Sequence, residues 1–175
     1  MIETKIKSTV RDVIDFPKPG VVFKDITPIL KDPLLCMEIN RELAAALKGI
    51  EIDVVAGIES RGFLFGPALA QLLKVPFVPI RKVGKLPYQT VRQSYDLEYG
   101  TAAIELHKDA LVAGQKVLIH DDLLATGGTV VAASELVQQL GAVVAAYSFI
   151  IGLDFLNGKA RLQPYSEQIF SLASY

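Results

Sequence analysis

The stretch Val117-Leu118-Ile119-His120-Asp121-Asp122-Leu123-Leu124-Ala125-Thr126-Gly127-Gly128-Thr129 decides how this chain is read. An apolar strand ends in two adjacent acids, and a loop of small residues then opens onto a helix expected over residues 129–140. Each part has its own physical task. Glycines permit turns of positive φ and close approach of a ligand to the backbone, so Thr126, Gly127, Gly128 and Thr129 present several N–H groups and two hydroxyls to a phosphate. The helix behind them aims the positive end of its dipole at the same anion. Ionised Asp121 and Asp122 accept hydrogen bonds from two neighbouring hydroxyls, such as the 2′ and 3′ groups of a ribose. A phosphate and a diol held together point to a 5-phosphoribosyl group.

Competing phosphate and nucleophile motifs are missing. No G-x-G-x-x-G occurs, and Gly57 and Gly62 have the P-loop interval but are followed by Phe63 and Leu64 where Lys and Ser or Thr are required. Ser60 has Ile58 two positions before it and so fails G-x-S-x-G. A chain of 175 residues, 51% hydrophobic and 21% charged, is long enough to bury one sizeable core, so a single domain over residues 1–175 is expected. Its 18 basic and 19 acidic side chains nearly cancel, which offers no footprint for nucleic acid and implies that any bound polyanion is small. The one cysteine, Cys36, has no partner for an internal disulfide and reads as a small core residue. With no apolar signal core near the N-terminus, this predicts a cytoplasmic protein. Residues 142–151 are the most apolar run, too short to span a bilayer and better read as a buried strand, so no membrane partner is expected.

Working outward, Ile2, Ile6, Val10 and Val13 or Ile14 recur at helical spacing until Asp15-Phe16-Pro17-Lys18-Pro19-Gly20 stops the helix. Residues 21–28 read as a compact apolar loop or strand, and helical periodicity resumes over residues 34–47 after Asp32-Pro33. Strands are expected at residues 52–57, 75–80, 117–120 and 143–151, with helices at 63–73 and 129–140. That alternation predicts an α/β protein with a central, mostly parallel sheet flanked by helices. Ligands of such sheets bind at the carboxyl ends of strands, where Glu59-Ser60-Arg61-Gly62 and the Asp121 to Thr129 stretch both fall. Residues 81–110 break the rhythm. Arg81, Lys82, Lys85 and Arg92 occur with no acid between Arg81 and Tyr95, and Gly84 and Pro87 disfavour a helix or central strand, so a basic mobile loop is expected. A hairpin around Gly100 follows, with Ile104 and Leu106 alternating against Glu105 and His107.

The chemistry implied is displacement of pyrophosphate from 5-phosphoribosyl 1-pyrophosphate. Charge growing on the departing oxygens calls for cations, and Arg61, Arg81, Lys82 and Lys85 are the candidates, together with a divalent metal bridging pyrophosphate and ribose oxygens. The reacting carbon becomes oxocarbenium-like and is open to capture by water, which a basic loop closing over the site would prevent. An attacking purine nitrogen loses a ring proton, and Glu98 on the insertion is a candidate acceptor. His120 lies on an apolar strand and reads as a packed, hydrogen-bonded imidazole. No His, Cys and carboxylate cluster has metal-ligand spacing, so Mg2+ is expected to arrive mainly with substrate and water rather than on protein ligands.

Together with Phe23-Lys24-Asp25-Ile26-Thr27-Pro28, residues 57–67, Arg81-Lys82 with Gly84-Lys85-Leu86-Pro87, and Tyr95-Asp96-Leu97-Glu98-Tyr99-Gly100, the chain resembles the adenine phosphoribosyltransferases, a branch of the type I phosphoribosyltransferase family. The likeness runs from about residue 16 to 162. It implies the type I fold, with a small N-terminal hood in about residues 1–35 and a mobile active-site loop and hairpin in about residues 81–107. It also implies transfer of the phosphoribosyl group to adenine, giving AMP and pyrophosphate in purine salvage, by a homodimer using Mg2+. By the resemblance, Ala125, Thr126, Gly127, Gly128 and Thr129 hold the 5′-phosphate, and Asp121 and Asp122 the ribose hydroxyls. Ser60 and Arg61 form the pyrophosphate loop, where the family often has a non-proline cis peptide. Arg81, Lys82 and Lys85 meet the pyrophosphate, the two lysines in some arrangements coming from a neighbouring subunit. Adenine lies under the hood against Val22 and Phe23, with the Arg61 backbone and Leu123 nearby. Glu98 and Tyr99 match the acidic and aromatic pair of the mobile loop. Tyr88, Gln89, Gly152 and Gly158-Lys159 depart from the family pattern. The rival readings are a phosphoribosyltransferase for a 6-oxopurine and a non-catalytic sensor of phosphoribosyl pyrophosphate or nucleotides.

Overall fold

A computed structural model describes residues 1–96 and 101–175. Among the described residues seven strands form one sheet in the order β5-β6-β4-β3-β7-β8-β9. β3 (Val54–Ile58), β4 (Phe77–Lys82), β7 (Lys116–Leu124), β8 (Val143–Gly152) and β9 (Ile169–Ser174) run parallel. β5 (Thr90–Asp96) and β6 (Thr101–His107) add an antiparallel edge to β4. Both sheet faces are apolar because neighbouring residues of the central strands point to opposite sides. Val54, Ala56, Val117 and Ile119 pack with Val130, Ala133, Leu136 and Val137 of α4 (Gly128–Gln139) on one face. Val55 and Leu118 pack on the other with Ile39 and Leu43 of α2 (Pro33–Ala46) and Phe65 and Leu69 of α3 (Gly62–Leu73). Asp32 explains where α2 begins. Its carboxylate accepts the Leu34 and Leu35 amides at 3.0 Å, and Pro33 occupies the first helical position, where no N–H is needed.

The N-terminal reading is corrected. The helix α1 ends early, at Ile2–Thr9, and Val13 and Ile14 belong instead to β1 (Arg11–Ile14), which pairs antiparallel with β2 (Val22–Asp25). β-Branched residues at helical spacing satisfy either element, and cross-strand pairing of Val13 with Phe23 and Ile14 with Val22 decides for the strand. The insertion also carries more strand than expected. β4 continues through Arg81 and Lys82, and β5 pairs with β6 from Thr90 to Asp96, leaving the turn of residues 83–89 between them. Glu105 is buried, not solvent-facing. The C-terminal strand β9 and the short helix α5 (Gly158–Leu162) were not anticipated.

Two of the sequence departures have local reasons. A Cβ at Gly152 would lie 3.1 Å from Ser171 Oγ and 3.3 Å from an Asp154 oxygen, so there is little room for a longer side chain. Tyr88 packs edge-on against His107, with ring centroids 6.2 Å apart.

Gly158 stacks directly under the loop that follows β7. A Cβ there would collide with the Ala125 carbonyl oxygen, which is backbone and cannot swing aside. Gly158→Ala is therefore expected to destabilise the fold by about 1–3 kcal/mol, the usual cost of overpacking, as read in urea unfolding. An unchanged unfolding midpoint would contradict this close packing.

Candidate active site

Two strand-to-helix connections meet at the carboxyl ends of the paired strands β3 and β7. Glu59, Ser60 and Arg61 lead from β3 into α3, with a cis peptide between Glu59 and Ser60. Ala125, Thr126 and Gly127 lead from β7 into α4. The start of α3 touches β7 backbone to backbone, since a Cβ on Gly62 would sit 2.7 Å from the His120 carbonyl oxygen. Only glycine allows that approach. His120 is fully buried, with Nδ1 2.9 Å from Ser148 Oγ, and burial lowers its pKa to about 4. It is the packed, hydrogen-bonded imidazole expected from the sequence, and burial keeps it neutral.

A cavity of about 330 Å³ opens between the connections, lined by Ile58, Glu59, Ser60, Arg61, Lys82, Tyr95, Asp121, Asp122 and Thr129. A second, of about 190 Å³, shares Arg61, Asp121, Asp122 and Thr129 and extends over Leu123 and the turn Ala125, Thr126, Gly127 and Gly128. Gly127 has φ +80°, the conformation this turn requires. The first intrahelical bond of α4 is from Val131 N to Gly127 O at 2.9 Å, so the amides of the first turn point out of the helix. Charge and geometry there suit a phosphate.

The paired acids do not terminate the strand as read from the sequence; β7 runs through them to Leu124, held by pairing with β8. Rigid strand geometry fixes both carboxylates. Asp122 is 2% exposed and bonds Arg61 Nε at 2.6 Å. The guanidinium of Arg61 also lies 5.2 Å from the Phe23 ring centroid, joining the hood hairpin to the cleft. Phe23 in turn packs edge-on against Phe16. Asp121 accepts the Asp122 amide at 2.8 Å. Burial, and then the charge of Asp122, push its pKa well above the usual carboxylate range.

Ser60, Arg61, Lys82, Asp121, Asp122 and Thr129 thus converge, with the Ala125 to Gly128 turn and Leu123 alongside. Arg81 is engaged elsewhere. Its Nε and Nη2 bond Glu59 at 3.1 Å each, its Nη1 bonds the Lys85 carbonyl at 3.0 Å, and neither Arg81 nor Lys85 lines the cavity. Arg81 in turn holds the Glu59 carboxyl below its ordinary range. Val22 is exposed on the hood hairpin. Glu98 and Tyr99 lie outside the described residues. Ile58, Glu59 and Tyr95 also line the cleft, though the sequence reading assigned none of them a role there. Only the position of Glu59 directly before Ser60-Arg61 could have signalled it.

A strand-to-helix phosphate loop behind two acids, facing a second strand-end loop, defines a phosphoribosyltransferase, and a phosphoribosyl transferase domain is matched over residues 25–166. The adenine phosphoribosyltransferase of Cytophaga hutchinsonii is 53% identical over 100% of this chain and 97% of its own length. The crystal structure of the adenine phosphoribosyltransferase from Thermoanaerobacter pseudethanolicus superposes with a TM-score of 0.95 at 48% identity, covering 100% of both chains. That from Saccharomyces cerevisiae, complexed with an imino-altritol bisphosphate and adenine, gives 0.90 at 41% identity over 98% of each. The chain belongs to the adenine phosphoribosyltransferase family.

The raised pKa of Asp121 has a sign. Folding favours its protonated form, so its contribution is full below the unfolded value of 3.8 and is lost as pH rises through the folded pKa. Asp121→Asn keeps the oxygen that accepts the Asp122 amide and removes the charge. It is expected to melt higher than the unmodified protein on the alkaline side, with the gap closing towards acid. A melting series across pH that shows the variant lower throughout would contradict the assigned cost.

Proposed function

We propose that this cleft transfers the 5-phosphoribosyl group from 5-phosphoribosyl 1-pyrophosphate to adenine, giving AMP and pyrophosphate in purine salvage. The observation that carries the reading is the convergence of a phosphate turn, two strand-borne acids and Ser60, Arg61 and Lys82 on one cavity. The Ala125 to Thr129 turn would hold the 5′-phosphate, and Asp121 and Asp122 the ribose hydroxyls. Ser60, Arg61 and Lys82 would face the pyrophosphate, with Arg81 and Lys85 completing its surroundings. Adenine would lie between Phe23 and Val22 of the hood, Leu123 and the Arg61 backbone. In the reaction a ring nitrogen bonds to the anomeric carbon, the bond to the pyrophosphate oxygen breaks, and its electron pair leaves with pyrophosphate. Glu98 would take the purine proton, with Tyr99 as the aromatic member of that catalytic pair.

Asp121 and Asp122 present carboxylate oxygens, the hard donors that Mg2+ prefers, to the cavity. Asp122 is already paired with Arg61 and Asp121 already accepts the Asp122 amide, so the ion would be held mainly by substrate and water oxygens beside them, and when bound would neutralise charge on the leaving pyrophosphate. The reading includes a single domain over residues 1–175, a homodimer and a cytoplasmic location. Exposed Met37, Leu64 and Leu72 on α2 and α3 support a second copy as partner. Among the described residues no helix is long and apolar enough to cross a membrane.

Competition among purine bases in a pyrophosphate-release assay tests the acceptor. Adenine is expected to dominate, and 6-oxopurines outcompeting it would overturn the assignment. Absence of turnover with purified protein would favour the non-catalytic sensor. Asp121→Ala and Asp122→Ala should each weaken handling of the donor far more than binding of free adenine, and equal losses of both in steady-state kinetics and titration would contradict the ribose role.

A further inference from the structure

Glu105 is an anion with no assigned partner outside the protein and an unusual number inside it. Its carboxylate is 1% exposed. Oε1 accepts three successive backbone amides, Gly84 at 2.9 Å, Lys85 at 3.2 Å and Leu86 at 3.1 Å. Oε2 accepts the Thr90 hydroxyl at 3.2 Å and pairs with Arg92 Nε at 3.2 Å. Consecutive amides converge on one point where a turn includes a left-handed residue, and Gly84 supplies φ +85°. Such a concavity commonly binds an external phosphate, but here the protein fills it with its own carboxylate. Despite burial, these donors hold the carboxyl below its ordinary range, so it stays ionised.

The turn so held connects Lys82, which lines the cavity, to Lys85. Its other side is fastened by a second acid: Glu59 accepts the Lys82 amide at 3.0 Å and grips Arg81, whose Nη1 holds the Lys85 carbonyl. Resting on the phosphoribosyl-transfer reading above, we propose that Glu105 is a positioning residue that sets the Lys82–Lys85 turn for the pyrophosphate end of the donor. It touches no substrate. It acts by fixing the backbone from which the cations reach, so its loss should fall on the donor and on pyrophosphate and spare adenine.

The test compares Glu105→Gln and Thr90→Val with the unmodified protein, by steady-state kinetics for each substrate and by calorimetric titration of inorganic pyrophosphate with magnesium. Glu105→Gln keeps the shape but loses the charge that five donors face. It is expected to raise KM for the donor and weaken pyrophosphate binding about tenfold each, equivalent to about 1.4 kcal/mol, with KM for adenine within about twofold. Thr90→Val removes one donor and should move the same two quantities in the same direction by a smaller factor. Unchanged donor KM and pyrophosphate affinity, or a parallel rise in both KM values, overturns the proposal. If Glu105→Gln does not fold, Thr90→Val and Arg92→Gln decide it, and unchanged pyrophosphate affinity in both counts against it. Failure of the unmodified protein to use adenine defeats the transfer reading instead, while the pyrophosphate titration still judges Glu105.

Discussion

The ion pair between Arg61 and Asp122 is the contact on which the cleft depends. Two carboxylates are adjacent on one strand, and their mutual repulsion in a partly desolvated place raises the cost of ionising both. Arg61 from the neighbouring connection meets one of them at 2.6 Å. That contact joins the end of β3 to the end of β7 and, through the stacking of Arg61 on Phe23, brings in the hood. Asp122 is buried while the Arg61 side chain is 40% exposed, so the pair gives little net stability, because desolvation of the carboxylate offsets much of the attraction, but removing Arg61 leaves Asp122 to bear that penalty alone. Its effect is therefore on arrangement. It brings the elements assigned to pyrophosphate, ribose and base into one place.

The same principle extends to the other cations. A site built to receive a pyrophosphate gathers positive charge that repels itself in the absence of that anion. Glu59 and Glu105 relieve the repulsion from within, one by gripping Arg81 and the other by gripping backbone amides and Arg92. Lys82 is left directed to the cavity. The insertion is consequently a braced hairpin over its described residues, with the bracing supplied by acids that sequence charge alone would count against anion binding.

The central strand, its phosphate turn and the Ser60-Arg61 connection were legible because each is a local pattern whose chemistry lies within a few residues. Val13 and Ile14 misled because a β-branched run fits two periods, and the choice was made by cross-strand partners beyond the turn. β9 escaped because it is an edge strand whose residues, apart from Ala173, are only partly buried. Glu105 failed differently. Alternation with Ile104 and Leu106 correctly placed it on the opposite face, but alternation cannot say what covers that face, and the turn of residues 83–86 and Thr90 do. Arg81 was recognised by charge, whereas its engagement with Glu59 depends on a neighbouring strand end.

Neighbouring acids also explain how a cleft for a polyanion is compatible with a chain of formal charge −1. Long-range attraction scales with net charge and is screened within about 8–10 Å at ordinary ionic strength, so it contributes little here. On the proposed reading, recognition comes instead from short-range groups already oriented: turn amides at the start of α4, a guanidinium fixed by Asp122, and a lysine on a turn fixed by two glutamates. Orienting them before the ligand arrives lowers the ordering cost of binding. The cost is borne instead by the folded protein, chiefly at Asp121, where a half-buried carboxylate is kept beside a buried one and is pushed towards its protonated form.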